Sequence, residues 1–270
     1  MSGKQGKDAW RMQINNLEKF LEKVRRDEFP IGAVVGLSDP TVTELAANVG
    51  FDFVFIDGEH GDIDRKCAME HLMAVKGTDA ASFYRVPCCN HTEIKKIIDF
   101  APAGIIVPMV MNAEEAKRAI EAMRYPPTGN RGCGFRRGLA YGAGDFDEYW
   151  KASTHDPIVI LQLEHVDAYR DLDRILALDG LDSIMIGPYD FSASMGKAGQ
   201  WDDPELRAIF DDACRRIRAA GVMLGVALDV RAEEWRARGA QWMAVKGDMT
   251  ALVERWREVI RSLKGERNKK

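Results

Sequence analysis

Apolar residues recur along the chain in two alternating patterns, one at helical spacing and one in short unbroken runs. Leu17, Phe20, Leu21 and Val24 fall on one helical face, which predicts a helix over 16–28 that ends before Phe29-Pro30. From there runs rich in β-branched and aromatic residues predict strands over 31–37, 52–56, 80–86, 105–110, 157–163, 183–186, 223–228 and 242–245. Between and after them, amphipathic stretches predict helices over 40–49, 66–76, 92–100, 113–124, 169–176, 204–220, 232–238 and 250–263, with a further short one over 146–152. Fully apolar strands such as Phe53-Val54-Phe55-Ile56 fit a parallel sheet covered on both faces.

Eight strands that alternate with helices, at this length and without a linker, predict one (β/α)₈ TIM barrel preceded by an N-terminal helix. The whole of 1–270 then forms one unit, with its core over 31–263 and polar termini at 1–9 and 264–270. A Gly- and Arg-rich excursion, Gly129-Asn130-Arg131-Gly132-Cys133-Gly134-Phe135-Arg136-Arg137, connects a helix to a strand. That position suits bracing of the barrel or a subunit contact better than direct contact with a substrate.

Composition narrows the function. With 46% hydrophobic residues, a net charge of −4 and a pI near 5.8, the chain has no field for gripping nucleic acid or an anionic membrane. No apolar run is long enough to cross a bilayer and the start lacks the apolar stretch of a signal peptide, so the expected location is cytoplasmic. Five scattered cysteines point to reduced thiols. No G-x-G-x-x-G follows an early strand, and neither a G-x-x-x-x-G-K-[ST] nor a G-x-S-x-G is present.

In parallel α/β folds chemistry gathers at the carboxyl ends of the strands. There the chain places Asp57 and His60 after strand two, Arg85 at strand three, Gln162 and Glu164 at strand five and Asp190 after strand six. Gln162 and Glu164 share parity, so both point to one side while Leu161 and Leu163 pack on the other. A carboxylate so placed is costly unless paired or bound to a cation. Glu164 with Asp190 forms a hard oxygen site suited to Mg²⁺ or Mn²⁺, or else a pair of structural acids neutralised by Arg85 and other basic groups. Arg85 is either that neutraliser or an electrophile aimed at charge developing on a substrate oxygen.

Six stretches together resemble the metal-dependent pyruvate aldolases of the HpcH/HpaI family: the run from Phe51 through Asp57-Gly58-Glu59-His60, Arg85-Val86-Pro87, Ile106-Val107-Pro108-Met109-Val110, Arg124-Tyr125-Pro126-Pro127, Gln162-Leu163-Glu164 and Ile186-Gly187-Pro188-Tyr189-Asp190-Phe191-Ser192. The resemblance runs from about Ile31 to the last helix. It implies a barrel enzyme that reversibly cleaves 4-hydroxy-2-oxo acids into pyruvate and an aldehyde. It further implies Glu164 and Asp190 as ligands of a divalent ion (Mg²⁺, Mn²⁺ or Co²⁺), Arg85 as stabiliser of the enolate, and His60 as acid/base with Asp99 as its orienting aspartate. Gln162 matches a substrate-contacting glutamine, Gly187 and Tyr189 fall in the substrate loop, and Asp57 matches an acid near the metal's waters. A homo-oligomer, a hexamer whose C-terminal helix packs on a neighbour, is implied as well.

Three positions depart from the family's common pattern: His165 where a small hydroxyl residue is usual, Tyr189 where a small residue is usual, and Lys246 where glycine is common. These bear on the aldehyde more than on the reaction. Lys246 is expected to pair with Asp248 or to reach the far carboxylate of an acidic aldehyde, since Asp248 favours the charged amine over a Schiff-base nucleophile. His71, His91 and His155 are expected at the surface or at caps. An acyl-CoA lyase or an oxaloacetate decarboxylase on the same site, or a barrel without catalysis, are the competing readings. The first is disfavoured by the lack of a basic helix for CoA phosphate, the last by retention of every charged site residue.

Overall fold

The computed structural model describes residues 13–227 and 231–264. In chain order the elements are α1 (Leu17–Arg25), β1 (Ile31–Val35), α2 (Thr41–Asn48), β2 (Phe53–Asp57), α3 (Arg65–Ala74), β3 (Ala81–Arg85), α4 (His91–Ile98), β4 (Gly104–Val107) and α5 (Ala113–Ala122). There follow α6 (Phe146–Ala152), β5 (Ile158–Leu163), α7 (Val166–Arg170), α8 (Leu172–Leu176), β6 (Ser183–Ile186), α9 (Pro188–Ser194), α10 (Pro204–Ala219), β7 (Met223–Ala227), α11 (Ala232–Ala237), β8 (Trp242–Gly247) and α12 (Asp248–Lys264). The eight strands are parallel and close in sequence order, with β8 paired to β1. The (β/α)₈ barrel with its N-terminal helix is therefore present.

Strand alternation sorts the side chains into two cores. Val54, Ile56, Leu161 and Leu163 face outward to the helices, whereas Phe53, Phe55, Phe83, Ile160, Met185 and Trp242 fill the barrel. Helix α1 plugs the lower end: Phe20 stands edge-on to Phe53 and Phe83, with centroids at 5.6 and 4.9 Å. The aromatic filling needs glycines opposite it, because a Cβ on Gly32 would lie 2.1 Å from the Phe53 ring and one on Gly225 2.1 Å from Trp242. With the lower barrel closed by rings, the inward positions at the upper end of the same strands are where polar groups remain.

Three boundaries differ from expectation. The helix predicted over 169–176 is two helices that break at Asp171. The loop expected after β6 is itself a helix, α9, opened by Pro188 at its first position, where the ring's fixed φ favours a helical start. Strand β8 extends to Gly247 and α12 begins at Asp248. Leu228, the last residue of the predicted seventh strand, and the tails 1–9 and 265–270 lie outside the described residues.

The Arg-rich excursion braces the lower end. Arg137 donates from Nη1 to the Phe100 carbonyl and from Nη2 to the Leu72 carbonyl, both at 2.8 Å, tying α3 to α4. Arg131 lies over the Tyr125 ring and donates to Asp99 at 3.2 Å. No helix among the described residues is long and apolar enough to cross a membrane, and the five cysteines are free thiols.

Candidate active site

The C-terminal ends of β2, β3, β5 and β6 bring one group of charged side chains together. Asp57 and Arg85 are register partners on neighbouring strands, so both point up and inward from the last rung of their ladder. Arg85 Nε donates to Asp57 Oδ1 at 2.9 Å and Nη2 to Oδ2 at 2.6 Å, a fork-to-carboxylate pair. Its Nη1 meets Glu59 Oε2 at 2.8 Å and faces Gln162 Oε1 at 3.5 Å. The guanidinium is 8% exposed and lies over the Phe55 ring. Burial alone would raise the Asp57 carboxyl, but the Arg85 guanidinium outweighs it and holds the group below its usual range.

The turn after β2 is shaped by Asp57 itself. Its Oδ1 accepts the N–H groups of Glu59 at 3.0 Å and His60 at 3.2 Å. Gly58 is pressed against β3, where a Cβ would lie 2.2 Å from the Tyr84 hydroxyl. His60 is left at the rim, its side chain 67% exposed, with Nε2 3.7 Å from Glu59 Oε2.

Glu164 is 2% exposed. Oε1 accepts the Met109 N–H at 2.5 Å and Oε2 accepts the Gln162 amide at 2.7 Å, and among the described residues no basic side chain is bonded to it. Burial pushes this carboxyl up to about 7, and the carboxylates of Glu59 and Asp190 push the same way. Met109 has φ 51°, a left-handed conformation that turns its N–H onto Glu164. Gly187 lies opposite, and a Cβ there would be 3.0 Å from Glu164 Oε2. Asp190 and Tyr189 occupy the exposed first turn of α9, with the Tyr189 ring edge-on to Trp201 at 4.7 Å. Glu59 is raised by burial, against the pull of Arg85 and His60, and further by Asp57 and Asp190.

Asp57, Glu59 and Glu164 thus share the Arg85 guanidinium, while Asp190 adds its negative charge to Glu59 and Glu164. Among the described residues no group of three or more His, Cys, Asp or Glu side chains closes around one point. The donor set nevertheless fits a divalent cation that keeps open positions. A buried carboxylate with no basic partner among the described residues and an exposed one on the neighbouring element would supply the one or two oxygens that Mg²⁺ or Mn²⁺ takes from protein.

Most of the expected site residues meet here, with two corrections. Asp99 does not reach His60 within one chain. It is the C-cap of α4, which runs down from the rim for eight residues, on the order of 12 Å, and there Asp99 binds Arg131. Nor is His71 a surface or capping residue. It is 0% exposed with Nδ1 2.7 Å from Thr43 Oγ1, and burial pushes its pKa down. His91 and His155 are exposed as expected. His165 caps α7, its Nδ1 accepting the Asp167 N–H at 3.1 Å. Lys246 lies in β8 and its side chain is outside the described residues. Its expected partner Asp248 accepts the N–H groups of Gly36 and Leu37 through Oδ2. Glu59 is the site residue that the sequence did not single out: it lies in the turn beyond the end of β2, and the bonds of Asp57 Oδ1 to the turn's N–H groups bring it to Arg85.

A sequence model of the HpcH/HpaI aldolase/citrate lyase family matches residues 31–254. The chain is 34% identical to a hydroxypyruvate/pyruvate aldolase of Pseudomonas aeruginosa, over 92% of this chain and 94% of that one. It is 35% identical to a 4-hydroxy-2-oxo-heptane-1,7-dioate aldolase of Klebsiella pneumoniae, over 89% and 91% of the two chains. The crystal structure of an HpcH/HpaI aldolase/citrate lyase family protein from Burkholderia cenocepacia superposes with a TM-score of 0.84 at 25% identity, covering 92% of this chain and 99% of the other.

Proposed function

The chain belongs to the HpcH/HpaI aldolase/citrate lyase family, and from that premise we propose that it is a metal-dependent aldolase that reversibly cleaves a 4-hydroxy-2-oxo acid into pyruvate and an aldehyde. The observation that carries this reading is Glu164, a buried carboxyl with no basic side chain bonded to it among the described residues, set beside Gln162 and Arg85 at one end of the barrel. Glu164 and Asp190 would hold the ion, which supplies Lewis acidity for the pyruvate unit's carboxylate and 2-oxo oxygens.

The chain's own groups do the rest. Gln162 and Gly187 border the pyruvate half, where the missing side chain of Gly187 leaves room against Glu164. The Arg85 guanidinium, fixed by Asp57, faces the oxygen on which enolate charge develops. His60, loose at the rim, takes the proton of the C4 hydroxyl during cleavage. Given a panel of 4-hydroxy-2-oxo acids with Mg²⁺, Mn²⁺ or Co²⁺, the full chain should release pyruvate, detected by coupled reduction. No release with any acid and any of the three ions overturns the reading.

The working form is a homo-oligomer built through α12. That helix carries Met249, Leu252, Val253, Trp256, Ile260 and Leu263 at helical spacing, all exposed, and none of its residues is buried. Beside it an apolar groove of about 730 Å³, lined by Val35, Val42, Leu45, Val49 and Val245 among others, lies open between β1, α2 and β8. A second copy's α12 is the occupant that matches both surfaces. Assembly is also the only setting in which Asp99 could orient a His60, that of another chain, since one chain holds the two at opposite ends. Trp256→Glu with Leu252→Glu should lower the solution mass toward that of one 30.2 kDa chain in light scattering. An unchanged mass would place the interface elsewhere.

A further inference from the structure

We propose that Glu59 is a positioning residue of the cleavage step: its carboxylate holds the free edge of the Arg85 guanidinium and sets a negative charge beside Nε2 of His60. The inference rests on the aldolase reading above. Its starting point is the sharing of one oxygen. Asp57 occupies Nε and Nη2 of Arg85, and Glu59 Oε2 takes Nη1 at 2.8 Å while lying 3.7 Å from His60 Nε2.

The two neighbours differ in anchoring. Glu59's side chain is 16% exposed and bonded to Arg85, whereas that of His60 is 67% exposed, so the anchored acid presents its charge to the exposed imidazole. The backbone between them is fixed as well, by the Asp57 Oδ1 bonds to both N–H groups and by the contact of Gly58 with β3. A distance of 3.7 Å is longer than a hydrogen bond, and catalytic contacts in free enzymes commonly tighten only when substrate is bound.

The chemistry needs a charge in that place. On cleavage the C4 hydroxyl proton passes to His60, its O–H electron pair forms the aldehyde carbonyl, and the C3–C4 pair becomes the enolate, whose oxygen faces Arg85. Positive charge thus appears on the imidazole as negative charge appears near the guanidinium. Glu59 changes no bond; it favours the imidazolium and keeps Arg85 in line. An aspartate, shorter by one methylene, cannot span both contacts.

The test uses the metal-loaded full chain with Glu59→Gln, Glu59→Asp and the double variant Glu59→Gln/His60→Ala. It compares cleavage of a 4-hydroxy-2-oxo acid with decarboxylation of oxaloacetate, which makes the same enolate without a C4 hydroxyl proton. Glu59→Gln should lower kcat for cleavage by about 30-fold, with KM within about threefold and decarboxylation down by less than about fivefold, since Asp57 still holds Arg85. Glu59→Asp should not restore cleavage, and the double variant should be slower in cleavage than His60→Ala alone by no more than the less than about fivefold loss seen in decarboxylation. Equal losses in both reactions, or additive losses in the double variant, would overturn the role. Wild-type chain inactive in both reactions would instead overturn the aldolase reading on which the role depends.

Discussion

Replacing Glu164 by glutamine should abolish turnover, by about a thousandfold or more, while the barrel stays folded. The substitution keeps the shape and an oxygen for the Met109 N–H; it removes the negative charge that would bind the cation and sets an NH2 group, in place of an acceptor, against the Gln162 amide. Losing that ion removes several kcal/mol of charge stabilisation from the transition state. The proton competes with the metal here. With the Glu164 carboxyl pushed up to about 7, apparent metal affinity should fall about tenfold for each pH unit below that value, as seen by titration calorimetry. The stability sign is opposite. A carboxyl whose pKa is higher folded than unfolded contributes stability that is full below the unfolded value near 4.5 and is lost as pH rises through about 7. The melting temperature of metal-free Glu164→Gln relative to metal-free wild type should therefore be a few degrees more favourable at pH 8 than at pH 5. Activity near wild type, or unchanged metal affinity, would return Glu164 to a structural role.

The barrel was legible because its pattern is repeated eight times, and because the strands buried on both faces read as apolar runs. Within the site, parity alone placed Gln162 and Glu164 together, and their hydrogen bond bears it out. Other features depend on what a linear pattern does not carry. The helix α9 follows from one proline in a stretch otherwise readable as a turn. His71 looked like a helix-surface residue because the α3 pattern is weakly amphipathic, and only the packing of α2 against α3, through Thr43, buries it. Asp99 was readable as a motif residue, yet its place at the end of the helix descending from β3 sets it at the far end of the barrel. Glu59 was hidden because it lies in the turn beyond β2, where the period of two no longer applies and the bonds of Asp57 Oδ1 set the geometry.

Arg85→Lys should lose activity by about a hundredfold or more in both cleavage and decarboxylation, although the charge is retained. An ammonium has no planar fork, so it cannot meet Asp57 Oδ1, Asp57 Oδ2 and Glu59 Oε2 at 2.9, 2.6 and 2.8 Å in one plane and still aim a donor at the substrate oxygen. The alternatives of neutraliser and electrophile are not exclusive in this geometry: two carboxylates fix the guanidinium, and that fixing gives its remaining N–H groups a bearing. Arg85→Ala separates the two contributions. It leaves Asp57, 5% exposed, and the half-buried Glu59 without their cation, and breaking a buried pair from one side costs about 3–5 kcal/mol. The alanine variant should therefore melt well below wild type, whereas the lysine variant should recover much of that stability and little of the rate. Both reactions should fall in parallel, because both pass through the enolate whose oxygen the guanidinium meets. Were Arg85→Lys to keep wild-type kcat/KM while Arg85→Ala only unfolded more easily, the guanidinium would be a structural ion pair. Enolate stabilisation would then have to come from other groups of the site.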